Sequence, residues 1–324
     1  MIRRDRVPER PVLEARKRMN DAVRRYFDSR GLLEVETPIA VVSPGLEPHL
    51  FAFETIEVGP DNASTPLYLH TSPEYAMKRL LGRGIGDCYQ IARVFRNGER
   101  SRTHTPEFTM LEWYRAPGTL NAIMDDLEGL LSDIAEAVDA QWRPARFVRL
   151  SVSEAFVRAG LADPLEHPLI DGLRAALAVR RVDSDTWDDV FHRAFFEKVE
   201  PTFPKDEGTI LYGYPASMAA LARTDATDPR RAERFELYVG PLELANAFGE
   251  LTDPVEQRAR FLEDQAIRRG LGRPVYPIDE GLLADLGKIG EAAGIALGLD
   301  RVLMLCLGLD SIQDVVVLPP EDPR

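Results

Sequence analysis

Apolar residues recur at Val12, Ala15, Met19, Val23 and Tyr26, the spacing of one helical face, between a Pro11 suited to a first turn and a Gly31 suited to a stop. The following LLEVETPIAV reads as a strand. A polar loop at 61–66 leads to a short strand at 67–70 and a helix at 73–81. Two β-rich runs, 88–96 and 108–115, flank a polar loop of eleven residues that carries Arg100, Arg102 and His104. In the second run, strand alternation puts Phe108, Met110, Glu112 and Tyr114 on one face.

Further along, 119–140 is helical in pattern. From 151 to 198 the text is helix-like again, with breaks at Gly160, Pro164, Pro168 and Asp183–Asp185. Runs at 210–215, 235–244 and 294–297 return to strand character. Regular βα alternation is missing, so the expected class is α+β, an antiparallel sheet flanked by helices. We expect a single domain over residues 1–324 with a helical insertion at about 151–205.

The composition, 44% hydrophobic and 29% charged, is that of a soluble globular chain. A net charge of −13 and the absence of a polybasic block argue against broad nucleic-acid binding. Cys88 and Cys306 have no metal-ligand spacing and read as small buried hydrophobes. The N-terminus, MIRRDRVPERP, lacks an apolar signal core. The apolar run 292–309 carries Asp300 and Arg301 in its middle, which rejects it as a membrane span. The expected location is cytoplasmic, with no membrane partner.

At about 3.3 Å per residue, Phe108 and Glu112 lie roughly 13 Å apart, about the distance from a nucleotide base to a small substrate joined through an α-phosphate. Near the end, GIALGLDRVLML reads as a short strand, then Asp300–Arg301, then an apolar helix. Gly298 would admit a ligand to the backbone, and Arg301 falls in a first helical turn, where N–H groups favour anions.

These two stretches resemble motifs 2 and 3 of the class II aminoacyl-tRNA synthetases. The wording FRN, H-x-PEFTMLEWY and GxxLGLDR is similar to the lysyl branch, and the resemblance runs from about Val12 to the C-terminus. The first helix, the strand and Pro38 resemble motif 1, which implies a homodimer; a plain amphipathic core helix is the other reading. The motif 1 resemblance begins by residue 12, so the N-terminal OB-fold that reads the anticodon in lysyl-tRNA synthetases is not expected here, and the resemblance then implies the paralogue group whose acceptor is elongation factor P rather than tRNA. Ser72 and Ala296 in place of Ala and Gly point the same way.

The resemblance implies an ATP-dependent, AMP-forming ligase for lysine or β-lysine, using Mg²⁺. Arg96 would clamp the α-phosphate, since a planar guanidinium holds two oxygens, although alone it would read as a strand-end salt bridge. Phe108 would stack on adenine, or is simply core. Arg301 would cover adenine's other face and approach the distal phosphates. Asn97, Gly98, Glu99, His104, Thr105, Glu243, Leu244 and Gly298 would complete the nucleotide site, though a lone loop histidine is usually just solvated. Ser72, Pro73, Glu74, Glu112, Tyr114, Asn246, Phe248, Glu250 and Ala296 would line the amino-acid pocket. Glu74 has a second reading, as the last member of a Thr71–Glu74 capping box. Glu112, between Leu111 and Trp113, needs a partner.

Glu243 and Glu250 would be the metal ligands. Their odd spacing requires a bulge, expected around 245–247, if both are to face one way. Gly98, Thr105 and Ala247 depart from the usual Glu, Asn and Gly of the lysyl branch. Two other functions stay open: a truncated synthetase that acylates tRNA or another amine, and a non-catalytic synthetase-like regulatory module.

Overall fold

In the computed structural model, residues 10–316 are described; the N-terminal segment judged to lack a signal core falls largely outside them. Of these, 10–143 with 252–316 form one compact unit, and Pro144–Leu251 form a second. In chain order the first unit contributes α1 (Arg10–Asp28), β1 (Leu33–Glu34), β2 (Ala40–Val41), β3 (Phe53–Val58), β4 (Ser64–Leu69), α2 (Glu74–Gly82), β5 (Cys88–Phe95), β6 (Glu107–Arg115) and α3 (Leu120–Ala137). The second unit holds β7 (Phe147–Ser151), α4 (Val152–Arg158), α5 (Ile170–Leu177), α6 (Trp187–Ala194), β8 (Gly208–Tyr212), β9 (Arg234–Val239) and β10 (Leu242–Gly249). The chain then returns to the first unit with α7 (Pro254–Gly270), α8 (Glu280–Leu286), β11 (Ala293–Gly298) and α9 (Leu299–Cys306).

In the first unit β6 lies between β5 and β11, antiparallel to both, and β1 pairs β5 in parallel. A small antiparallel sheet, β2-β4-β3, stands beside them. The period of two in β6 decides what each face does. Leu111 and Trp113 are fully buried on one face, where Phe27 of α1 lies 4.7 Å from Tyr89 and 5.3 Å from Trp113. The helical stripe of α1 buries Ala15, Met19, Val23 and Tyr26 as its spacing predicts. The opposite face carries Phe108, Met110, Glu112 and Tyr114.

In the second unit β8 and β9 are antiparallel, as are β9 and β10, while β7 runs parallel to β8. α4, α5 and α6 occupy the stretch expected to be a helical insertion. Their core is aromatic: Phe156 lies 5.0 Å from Phe191, and Phe195 lies 5.6 Å from Tyr238.

Four details differ from the sequence reading. LLEVETPIAV is not one strand: only Leu33–Glu34 and Ala40–Val41 find ladder partners, because Pro38 interrupts the run. The run 235–244 is a hairpin of β9 and β10, turned at Gly240–Pro241. The strand expected at 67–70 begins earlier, at Ser64. Both end strand pairs are parallel, so the sheet strands are mixed rather than wholly antiparallel.

Candidate active site

β5, β6 and β11 place the site residues of the first unit by register alone. Phe108 pairs Val94, Met110 lies between Ala92 and Gly298, and Glu112 lies between Gln90 and Ala296. Small Ala92, Ala296 and Gly298 leave the face low enough for a flat ligand beside the Phe108 ring. Arg96 follows the end of β5, with its guanidinium carbon 5.3 Å from the Phe108 centroid, within cation–π reach. Its guanidinium donates one long hydrogen bond, 3.5 Å from Nε to the Thr71 carbonyl. The head group is therefore loosely held and available to a phosphate.

The loop 97–106 curls back onto α9. Asn97 donates its N–H to the Phe51 carbonyl at 2.7 Å. Gly98 has φ +84°, a left-handed turn position that favours glycine. Arg301 sits in the first turn of α9, whose N-cap is Gly298. Its Nη2 lies 2.7 Å from His104 Nε2 and its Nε donates to the Thr103 carbonyl at 3.2 Å. An arginine cannot accept, so His104 Nε2 carries no proton and the ring is neutral on that side. Burial, then the Arg301 charge, pushes the His104 pKa down, and Arg96 acts in the same direction. Both guanidiniums thus act on one imidazole, and Glu99 opposes them. Thr105 is buried with a hydroxyl that makes no hydrogen bond, a polar atom waiting for a ligand.

The neighbouring Asp300 is fully buried and structural. Its Oδ2 accepts from the Thr109 backbone N–H at 2.8 Å, and its Oδ1 lies 2.6 Å from Arg16. It pins β6 and α1 to the helix that carries Arg301. Sequence reasoning passed over it, although Asp before Arg in an apolar run was a signal that burial would demand partners.

The acidic pocket is built around Ser72. Its hydroxyl donates to Glu112 Oε1 and accepts the Glu74 backbone N–H at 3.0 Å. Tyr114 donates to Glu112 Oε2 at 3.2 Å. Burial, reinforced by the charge of Glu74, raises the Glu112 pKa to about 8 despite the hydrogen bonds from Ser72 and Tyr114. Pro73 precedes α2 without a side-chain cap, and Thr71 Oγ1 donates to the Pro44 carbonyl instead. The capping-box reading of Thr71–Glu74 is therefore excluded. Glu74 instead meets Lys78 one turn on, at 2.6 Å, with side chains 13% and 2% exposed. A buried lysine paired with a pocket carboxylate is the feature sequence reasoning missed; Glu47, a shielded carboxylate from the loop after β2, is another. A cavity of about 350 Å³ is lined by Ser72, by residues between 36 and 44, by Arg79 of α2 and by Arg83 just after it. Arg96, Phe108 and Glu112 do not line it.

In the second unit the bulge exists but lies earlier than expected, between Glu243 and Ala245. Glu243 pairs Tyr238, Asn246 pairs Glu236 and Phe248 pairs Arg234, so all three site residues share one face. The extra residue at Leu244 makes the odd spacing work, and the alternation carries Glu250 to the same side. A buried network underlies this face. Tyr214, Tyr238 and Arg234 all donate to Glu236 at 2.5–2.6 Å, and Arg234 Nε donates to Asn246 Oδ1 at 3.2 Å. Asn246 is thereby fixed in one orientation. None of Arg234, Glu236, Tyr214 or Tyr238 was picked out from sequence.

Among the described residues no group of three or more His, Cys, Asp or Glu could hold a metal. Two glutamates on one face match an ion that takes its remaining ligands from water and phosphate, the habit of Mg²⁺. Cys88 and Cys306 are buried and unpaired, with thiols pushed up to about 12 by burial, so neither is a nucleophile. Among the described residues no helix is long and apolar enough to cross a membrane.

A family profile of class II tRNA synthetases (D, K and N) matches residues 2–322. The chain is 42% identical over 313 residues to an elongation factor P–(R)-β-lysine ligase of Klebsiella pneumoniae subsp. pneumoniae, covering 94% of each chain. It is 42% identical over 315 residues to a protein of the same name from Salmonella typhi, again at 94% of each.

Proposed function

The chain belongs to the class II tRNA synthetase family, and we propose that it activates lysine or (R)-β-lysine with ATP and transfers the acyl group to a lysine side chain of elongation factor P. The observation that carries this reading is the single sheet face bearing Phe108 under Arg96 at one end and Glu112 with Ser72 and Tyr114 at the other. It offers a ring platform, a phosphate clamp and an amine-seeking carboxylate in the order that an aminoacyl-adenylate requires.

In the first step a carboxylate oxygen of the amino acid attacks the α-phosphorus, and the bond to pyrophosphate breaks. Charge builds on the phosphoryl oxygens, so positioned cations do most of the work. Arg96 takes the α-phosphate. Arg301, aimed by His104, takes the distal phosphates. Thr105, Asn97, Gly98 and Glu99 border the nucleotide. Glu243, Leu244, Asn246, Phe248 and Glu250 are assigned to the same reaction from motif resemblance, with Glu243 and Glu250 as the Mg²⁺ ligands; the ion would neutralise phosphate charge. In the second step the acceptor amine attacks the acyl carbon and AMP leaves. A lysine with a pKa near 10.4 is only about one part in a few thousand neutral at pH 7, so the acceptor must lose its proton on docking.

Leu33, Ile39 and Val42 are 53%, 44% and 52% exposed around the motif 1 segment, which favours a homodimer formed there. The enzyme would work in the cytoplasm, where ATP and the acceptor are found.

Amino-acid-dependent ATP–pyrophosphate exchange tests the first step. Intact mass of elongation factor P, set against acylation of bulk tRNA, tests the acceptor. Exchange without any mass gain on elongation factor P, but with charged tRNA, would replace this reading by a tRNA-acylating synthetase.

A further inference from the structure

The buried charges around the acidic pocket do not balance. Lys78 is the only lysine buried there, and it is ion-paired with Glu74 at 2.6 Å. Glu112 accepts from two neutral hydroxyls, Ser72 and Tyr114, and feels the Lys78 charge without a hydrogen bond from it. Glu47 has less: its Oε2 is shielded from solvent and accepts no hydrogen bond. A carboxylate oxygen in that condition is costly unless a cation arrives.

The position of Glu47 is built rather than incidental. Arg268, fully buried, donates from Nη1 to the carbonyls of Glu47 and Leu50 at 2.8 and 2.9 Å, fixing the loop. Gly45, at φ +124°, leaves the space that the carboxylate fills. A Cβ on Gly45 would stand 2.6 Å from Glu47 Oε2 and 3.0 Å from Thr71 Oγ1, so these two oxygens are near neighbours. Thr71 adjoins Ser72, the residue that holds Glu112. The charges of Glu74, Lys78 and Arg96 all reach Glu47. Arg96 is the cation that a phosphate would claim, and Lys78 lies 2.6 Å from Glu74.

We propose that Glu47 is a specificity-determining residue that receives the substrate ammonium nearer the carboxyl carbon, while Glu112 receives the distal one and the Glu74–Lys78 pair serves as a neutral, fixed wall. This deepens, and rests on, the reading of the chain as a diamino-acid-activating enzyme. Two buried carboxyl groups, neither with an ion-pair partner of its own on the pocket side, meet two ammonium groups, so an acid with one amine leaves one of them without a partner.

The test compares ATP–pyrophosphate exchange on lysine, (R)-β-lysine and 6-aminohexanoic acid, which lacks the proximal amine. In wild type the preferred diamino acid should exceed 6-aminohexanoic acid in kcat/KM by at least about a hundredfold. Glu47→Gln should raise KM for the diamino acid about tenfold or more, alter 6-aminohexanoic acid less than threefold, and so collapse the preference. Glu47→Asp keeps the charge and should retain an intermediate preference, which keeps the assignment testable if the Gln variant does not fold. Equal losses on both substrates, or an unchanged preference, overturn the role of Glu47 while leaving the enzyme reading intact. A wild-type protein that activates no diamino acid overturns both.

Discussion

A carboxyl raised to about 8 is mostly protonated at neutral pH, and an ammonium docking beside it should expel that proton. At pH 7 Glu112 holds about 0.9 proton in the free protein. Beside a cation its pKa should return to the ordinary carboxylate range, so binding of lysine or (R)-β-lysine releases about 0.9 proton at this site. Calorimetric titration in buffers of small and large ionisation enthalpy measures the number directly. Further protons come from Glu47, whose pKa burial and the Glu74 charge also raise, and from Asp264, pushed up to about 7 by burial and the Glu47 charge. The diagnostic quantity is therefore the difference between wild type and Glu112→Gln, expected to be about 0.9 at pH 7. Affinity should rise about tenfold per pH unit up to pH 8 and flatten above it, since each unit is worth about 1.4 kcal/mol. The sign for folding follows from the same shift. With a pKa raised from 4.5, the free protein keeps the most stability from this group below pH 4.5 and loses it as pH rises through 8, by at most about 5 kcal/mol. Saturating diamino acid should offset that loss. Identical proton release in wild type and Glu112→Gln would refute the argument that this carboxyl is the distal-amine acceptor.

Arg96→Ala should lower adenylation about 10²- to 10³-fold, measured by pyrophosphate exchange, with little change in thermal stability, because the guanidinium has a long 3.5 Å hydrogen bond and a cation–π contact with Phe108 to lose. His104→Ala should remove one of the contacts that orient Arg301 and raise KM for ATP several-fold, whereas His104→Gln, which keeps an acceptor, should restore part of it. Asp300→Ala should cost about 3–5 kcal/mol in denaturant unfolding, since Arg16 and the Thr109 N–H lose a buried partner. Lys78→Met should be destabilising to a similar extent, about 3–5 kcal/mol, by leaving Glu74 without its counter-charge, and Glu74→Gln in the same chain should recover much of the loss.

What could be seen in the sequence depended on whether neighbouring positions or distant ones decide the outcome. The face of β6 was legible because a strict period of two carries Phe108, Met110, Glu112 and Tyr114 together whatever lies around them. The helical stripe of α1 was legible for the same reason. The odd interval between Glu243 and Glu250 announced a bulge, yet not its place: Leu244 is one apolar residue among several, and only the pairing with Tyr238 and Leu237 shows which is extra. LLEVETPIAV had the composition of a strand but, beyond its first and last pairs, no partners to ladder with. Lys78 could not have been singled out. Four residues after Glu74 it has the spacing of an ordinary exposed helix pair, worth a few tenths of a kcal/mol, and burial alone makes it a fixed counter-charge. Glu47 is the same case over a longer interval, since it matters only because Gly45, Thr71 and Arg268 enclose it. The charge count of the pocket is therefore a property of the fold, and the proposed preference for a substrate with two amines rests on this count rather than on any single motif residue.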